Sequence, residues 1–245
     1  MTQGEDKKLH RRLKDLYDLA IMNLTDSFIG PGERHWFTDH MEDAFSNLIE
    51  KYSEPHRRYH TLQHLLESFF LLDTVGKGLS TPRVELALFY HDLVYDVPAY
   101  TTGSNEEMSA AWMAYDLMTL DIQIEDIHAI DRMIRLTRKH EGPETDEEKL
   151  LLDVDLAILG AEPDRYEQAA EQIRQEYAIA TDDQWRIGRF KVLQGFLHRD
   201  RIYATDAFRE RFEERARRNV MAELQKLAGN EDAYRRLLEE ADGPA

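Results

Sequence analysis

Apolar residues recur at helical spacing along most of the chain. One such stripe contains Leu62, Leu65, Leu66, Phe69 and Leu72, which would share one face of a helix. No segment alternates apolar and polar residues between hairpin turns, so no significant sheet is expected. We therefore predict an all-α protein with helices near residues 6–28, 33–52, 60–75, 82–94, 104–120, 123–140, 146–160, 164–180, 182–198, 206–228 and 231–240.

Residues that start helices mark the boundaries between these stripes. A Ser or Thr followed three positions later by Glu or Gln predicts capping boxes at 104–107, 145–148 and 181–184. Thr81, followed directly by proline, predicts another helix start. No internal repeat or low-complexity linker divides the chain, so we expect a single helical domain over residues 1–245.

Composition narrows the classes of function. The net charge of −17 opposes binding to nucleic acid and to anionic lipid. No apolar run approaches the roughly 20 residues of a membrane span, and the polar N-terminus does not look like a signal peptide, so a cytoplasmic protein is expected. Because the chain has no cysteine, any metal would be held by His, Asp or Glu rather than by thiolates.

Histidines and carboxylates interrupt otherwise apolar segments. His60 and His64 lie four positions apart, which on a helix would place both on one face, although packed or surface pairs share this spacing. His91 and Asp92 interrupt the apolar segment 87–95, where burial is costly unless the two are paired or bound to a metal. Adjacent helical residues point in different directions, so both could reach one ion only where the end of the helix faces it.

Two further aspartates, Asp153 and Asp155, interrupt the apolar segment 150–160. On a helix they point to nearly opposite sides, so one of them is expected to face inward. A local cap or ion pair for one and a solvated position for the other is the alternative. The sequence thus contains, in order, a histidine, a His-Asp pair and a later aspartate.

This order resembles the H…HD…D pattern of the HD superfamily and, more closely, the bacterial predicted metal-dependent HD phosphohydrolases. The resemblance spans roughly residues 55–225, and its matching segments are 59–64, 89–96, 105–110, 153–160, 173–177 and 201–203. It implies an HD-domain-like bundle of helices with a metal-site core at about 55–160 and additional C-terminal helices at about 163–240.

The resemblance also implies a divalent-metal site and a set of ligands. The implied ligands are His60, His91, Asp92 and one of Asp153 and Asp155. Of the open alternatives, Asp155 is favoured over Asp153, and His60 is favoured as the ligand with His64 as its neighbour. Without thiolates the ion could be Mn, Fe, Co, Ni, Zn or Mg. The implied activity is hydrolysis of a small phosphate ester, including nucleotides, by metal-activated water.

Several polar residues are candidates for catalysis or substrate binding. Asp92 could orient the water as well as hold the ion, and Glu106 could act as a general acid or base, although a surface glutamate at a helix start is the alternative. The candidates for substrate binding are Asn105, His140, Arg174 and Arg189. Each of these four would otherwise have an ordinary role at the surface or at a helix end.

Two other functions remain open at this point. A ligand-binding or regulatory protein could keep the helical scaffold without catalysis. A di-iron oxygenase would need additional histidine ligands, for which His64 and His140 are available. The expected partner is a small phosphorylated substrate, with no nucleic acid and no membrane, and a homo-oligomer is a further alternative.

Overall fold

Helices account for 75% of the residues described by the computed structural model, which are 3–25, 34–96 and 104–229. No strand occurs within these ranges, so the predicted all-α class is confirmed. The helix predicted near 231–240 lies outside the described residues. No helix in the described ranges is both long enough and apolar enough to span a bilayer.

Ten α-helices and one 3₁₀ helix lie within the described ranges. The α-helices are α1 (Gln3–Leu24), α2 (Arg34–Tyr52), α3 (Leu62–Thr74), α4 (Pro82–Tyr90), α5 (Asn105–Thr119), α6 (Ile124–Leu136), α7 (Asp146–Asp155), α8 (Pro163–Glu176), α9 (Asp182–Leu197) and α10 (Asp206–Ala228). The 3₁₀ helix, Leu156–Gly160, follows α7 directly, so the single helix expected over 146–160 changes type after Asp155.

The predicted helix starts are present. The capping boxes at 104–107 and 181–184 have both of their reciprocal hydrogen bonds, at the starts of α5 and α9. At α7 the amide of Glu148 donates to Thr145 Oγ1, and the amide of Thr145 donates to Glu148 Oε2, each at 3.2 Å. Thr81 caps α4 as expected. These bonds satisfy backbone donors that a helix N-terminus leaves unpaired.

The chain divides into two compact units, residues 1–155 and 156–245. Whether these fold together as a single domain stays a prediction. In the first unit α4 is central, because it packs against α1, α3, α5, α6 and α7. Its residues 86–90 are all buried, as expected for a helix that is apolar on every side. The C-terminal end of α4 is therefore enclosed by the other helices of this unit.

In the second unit, α10 packs against the 3₁₀ helix and against α9. Gly160 permits this close approach, since a Cβ atom there would lie 2.6 Å from Phe212 Cβ. The side chain of Asn219 donates to the carbonyls of Leu159 and Ala161, each at 2.9 Å. The small residue and the buried amide together fix the 3₁₀ helix on α10.

Candidate metal centre

Four side chains of the first unit converge on one point: His64, His91, Asp92 and Asp155. Each offers one ligand atom, and the four atoms all lie within 4.8 Å of one another. The two histidines are only 2% and 1% exposed, and the two aspartates are partly buried. These four residues form the cluster, and they match the residue types that hold divalent ions in proteins without thiolate ligands.

Helix ends position the cluster. His64 lies in the first turn of α3, His91 is the C-cap of α4 with Asp92 next to it, and Asp155 is the last residue of α7. The three helices pack against one another. His91 and Asp92 can share one point because α4 ends at Tyr90, four residues before the end expected from the sequence, so that both lie at its C-terminal end. The partial negative charge of a helix C-terminus also favours a cation there.

The distances within the cluster fit a single coordinated ion. His91 Nε2 lies 3.0 Å from Asp92 Oδ2 and 3.5 Å from Asp155 Oδ1. His64 Nε2 lies 3.3 Å from His91 Nε2 and 3.7 and 3.6 Å from the same two carboxylate oxygens. Ligand atoms about 2.1 Å from an ion are roughly 3.0–3.4 Å apart when they occupy adjacent octahedral or tetrahedral positions. The observed separations are close to this range.

A backbone carbonyl fixes the orientation of His91. Its Nδ1 lies 2.8 Å from the carbonyl oxygen of Leu88, which can only accept, so Nδ1 carries the proton of this bond. In the neutral ring the lone pair is then on Nε2, which faces the cluster. Metal-binding histidines commonly donate their other ring N–H in this way.

The charges of the cluster attract a cation. Burial by itself lowers the pKa of His91, but the carboxylates of Asp92 and Asp155 outweigh it and raise that pKa well above its usual value. Burial works to raise the pKa of Asp92, and His91 and His60 hold it below its usual range. Asp155 behaves similarly, since His91 and His140 help to hold its pKa low against the effect of burial. The two carboxylates therefore stay ionised, and their negative charge favours a cation at this point.

His60 lies outside the cluster, in the turn before α3. The side chain of Thr61 caps α3, so the helix begins at Leu62 and the two histidines are not stacked on one helical face. The ring of His60 stacks instead on Tyr95, with 3.9 Å between the ring centroids. Of His60 and His64, it is thus His64 that is among the four convergent residues, and the ligand role of His60 stays a prediction.

His140 contacts the cluster from its edge. Its Nε2 lies 2.8 Å from Asp155 Oδ2, and its backbone is left-handed, with φ of 52°, just beyond α6. Asp155, the favoured aspartate, is the one that joins the cluster. Asp153 is 1% exposed and is not among the four convergent residues. The proposed substrate role of His140 stays a prediction, now with a defined contact.

Asn105 and Glu106 open α5. The side chain of Asn105 accepts from the amide of Asp96 at 3.2 Å and donates to its carbonyl at 2.9 Å, so it ties α5 to the segment that follows Asp92. Glu106 is half-buried in the first turn, and the glutamate of the capping box is Glu107. The roles predicted for Asn105 in substrate binding and for Glu106 in proton transfer stay predictions.

Arg174 and Arg189 belong to the second unit, where both form hydrogen bonds at or between its helices. Arg174 donates to the carbonyls of Tyr177 and Ala180 beyond the end of α8. Arg189 on α9 forms two hydrogen bonds with Glu223 on α10, at 2.9 and 3.2 Å. Their predicted role in phosphate binding stays a prediction.

The sequence did not reveal Arg57, which holds the backbone on both sides of the cluster. Its buried guanidinium donates to the carbonyls of Asp92 and Leu93, each at 2.7 Å, and to that of His60 at 3.2 Å. It also contacts the carboxylate of Glu54 at 3.3 Å. Arg57 lies in the irregular segment between α2 and α3, where helical periodicity gives no signal.

Comparisons with known protein families, with curated proteins and with solved structures found no match to this chain. The fold and the cluster define an all-α protein with a candidate site for a divalent metal ion. The arrangement is compatible with an HD-type metal site, and membership of the HD superfamily stays a prediction based on the sequence resemblance.

Proposed function

We propose that this protein is a metal-dependent hydrolase of a small phosphate ester, such as a nucleotide. The observation that carries the proposal is the convergence of two imidazole nitrogens and two carboxylate oxygens within 4.8 Å. With no thiolate among them, these ligands suit Mn, Fe, Co, Ni, Zn or Mg. A bound divalent ion supplies an acidic water and polarises a phosphoryl oxygen.

The residues of the chain have distinct tasks in this proposal. His64, His91, Asp92 and Asp155 would hold the ion, and the Leu88 carbonyl keeps the ring of His91 aimed at it. Asp92 would also orient the attacking water through its carboxylate. When the P–O bond of the ester breaks, the departing alkoxide needs a proton, for which His140 and Glu106 are the candidates. The contact between His140 and Asp155 favours His140.

The overall charge gives a second reason to expect metal dependence. The chain has a formal charge of −17, which opposes the approach of a phosphate. The cluster adds two ionised carboxylates at the site itself. A divalent cation held there would reverse the local field. We therefore expect both substrate binding and catalysis to require the metal.

The test measures metal content and hydrolysis on the same preparations. Purified protein is loaded with Mn2+ or Fe2+, its metal is counted by elemental analysis, and p-nitrophenyl phosphate and nucleoside monophosphates are offered as substrates. His91→Ala and Asp92→Ala should lose the ion and reduce hydrolysis by at least about 100-fold. His128→Ala, an exposed histidine on α6, is the matched control and should retain both.

Each alternative predicts a different result. A protein that binds metal but hydrolyses none of these esters would be a ligand-binding or regulatory protein. Two irons per chain, with oxygen consumption in place of phosphate release, would indicate an oxygenase. A wild-type protein that binds no divalent ion would refute the metal centre itself.

A further inference from the structure

The hydroxyl group of Tyr52 is buried and has no hydrogen-bond partner among the residues described. Tyr52 is the last residue of α2 and is 1% exposed. A hydroxyl enclosed in this way normally has a partner, because losing water without a replacement bond is costly. We therefore expect its partner to be a nearby group that could accept a hydrogen bond from this hydroxyl after a small movement.

Tyr52 lies beside the cluster. Its ring centroid is 5.0 Å from the guanidinium carbon of Arg57, and the same guanidinium donates to the carbonyl of Asp92 at 2.7 Å. Burial raises the pKa of Tyr52 well above its usual value, and the charge of Asp92 adds to this effect. Arg57 opposes the shift, and so does the backbone amide of Asp92, which faces the hydroxyl without reaching hydrogen-bond geometry; Asp155 contributes to the shift. The hydroxyl is thus within electrostatic reach of both carboxylates.

We propose that Tyr52 is a positioning residue for the metal centre: when the cluster holds a divalent ion, its hydroxyl donates a hydrogen bond to the carboxylate of Asp92. In the structure this carboxylate contacts His91 and His64 through Oδ2, and the hydroxyl would donate to its other oxygen, Oδ1. Carboxylates that hold metals are themselves fixed by such hydrogen bonds. The inference rests on the metal-binding part of the proposed function and does not depend on the substrate.

A matched control comes from a second buried tyrosine of the same unit. Tyr17 on α1 is 0% exposed, and its hydroxyl is 2.9 Å from that of Tyr90, which donates to Asp116. Tyr17→Phe therefore removes a hydrogen bond that exists in the free protein. Tyr52→Phe removes a hydroxyl that has no such bond there.

The experiment measures Mn2+ affinity by titration calorimetry and the Tm of the chelator-treated protein, for the wild type and both variants. Tyr52→Phe should weaken Mn2+ binding about 10- to 100-fold. Its ion-free Tm should equal or exceed that of the wild type, because the buried hydroxyl has no bond to lose. Tyr17→Phe should bind Mn2+ as the wild type does and lower the ion-free Tm by roughly 2–4 °C.

Unchanged Mn2+ affinity in Tyr52→Phe would overturn the inference. So would a fall in its ion-free Tm as large as that of Tyr17→Phe, since the hydroxyl would then already have a partner without the ion. If the wild type binds no Mn2+, the metal centre and this role of Tyr52 both fail. If Tyr52→Phe weakens Mn2+ binding but the wild type hydrolyses no phosphate ester, the positioning role stands and the hydrolase proposal fails.

Discussion

Replacement of Arg57 by methionine would remove the charged group that holds the backbone beside the cluster. The Arg57 side chain is 0% exposed, and it donates to the carbonyls of His60, Asp92 and Leu93. Methionine fills much of the same volume but donates no hydrogen bond. The three carbonyls would then lose this donor together, whereas the carboxylate of Glu54 would keep its hydrogen bond from Lys51.

The size of the effect follows from these contacts. A hydrogen bond to a charged group contributes about 1.5–3 kcal/mol, and the two bonds at 2.7 Å should dominate. The pair with Glu54, whose side chain is 26% exposed, should contribute less than about 1 kcal/mol. We expect Arg57→Met to lower the free energy of unfolding by about 3–5 kcal/mol. Arg57→Lys keeps the charge but lacks the planar fork, so its loss should be roughly half as large.

The assay is equilibrium unfolding in urea, followed by circular dichroism in a buffer with chelator, so that loss of metal does not contribute. Arg58→Met is the matched control, because Arg58 is exposed and donates to the nearby carbonyls of Pro55 and Arg57. It should cost less than about 0.5 kcal/mol. A loss for Arg57→Met within about 1 kcal/mol of this control would refute the argument that Arg57 holds the site.

Three further substitutions test α7, the 3₁₀ helix and α9. The stability of Glu148→Gln should fall less steeply in acid than that of the wild type. Burial favours a raised pKa for Glu148, but backbone amides at the start of α7 and Arg132 bind its carboxylate, so that its pKa is lowered from 4.5. In the wild type, ionised Glu148 therefore stabilises the fold above about pH 4.5, and this contribution is lost as the pH falls through and below that value. Between about pH 7 and pH 3 the urea midpoint should therefore fall less in the variant than in the wild type. An equal fall would contradict this prediction. Gly160→Ala should destabilise by roughly 1–3 kcal/mol because its Cβ would lie 2.6 Å from Phe212 Cβ, whereas Gly188→Ala on α9, with open space around it, should stabilise by about 0.5–1 kcal/mol. Equal unfolding free energies for the two alanine variants would contradict the close packing at Gly160.

The sequence predicted helices well because their signals are local. Apolar periodicity and reciprocal caps involve residues three or four positions apart, and the expected starts at α4, α5, α7 and α9 are all present. The helix expected over 82–94 ends at Tyr90, so His91 and Asp92 lie just beyond it and not inside it. Two adjacent helical residues can reach one ion only where the helix ends.

The start of α3 also differs from the expected one for a local reason. The sequence predicted a helix from residue 60, but Thr61 caps α3 by accepting from the amide of Gln63. Thr61 is followed three positions later by His64 rather than by Glu or Gln, so it lacks the usual signature of a capping box. A shift of two residues in the helix start is enough to place His64, and not His60, among the convergent side chains.

The role of Arg57 could not be predicted, because its contacts are remote in the sequence. Its bonds to Asp92 and Leu93 join residues 35 and 36 positions apart. An arginine in a short irregular segment is usually exposed, and no periodic pattern distinguishes this one. Its guanidinium is enclosed only because the fold brings Tyr52 and the segment 92–95 next to it.

The hydrogen bonds of Arg57 explain how its buried positive charge can lie beside a candidate site for a second cation. Its hydrogen bonds go to backbone carbonyls and to Glu54, so it shapes the segment around Asp92 while pairing with a different carboxylate. The carboxylates of Asp92 and Asp155 keep their negative charge, which is why they raise the pKa of His91 so far. A proton on His91 is a removable cation, whereas the charge of arginine is permanent. The permanent charge of Arg57 thus helps to fix the backbone of the cluster, and the negative charge of Asp92 and Asp155 would be available to a divalent ion, as the proposed metal centre requires.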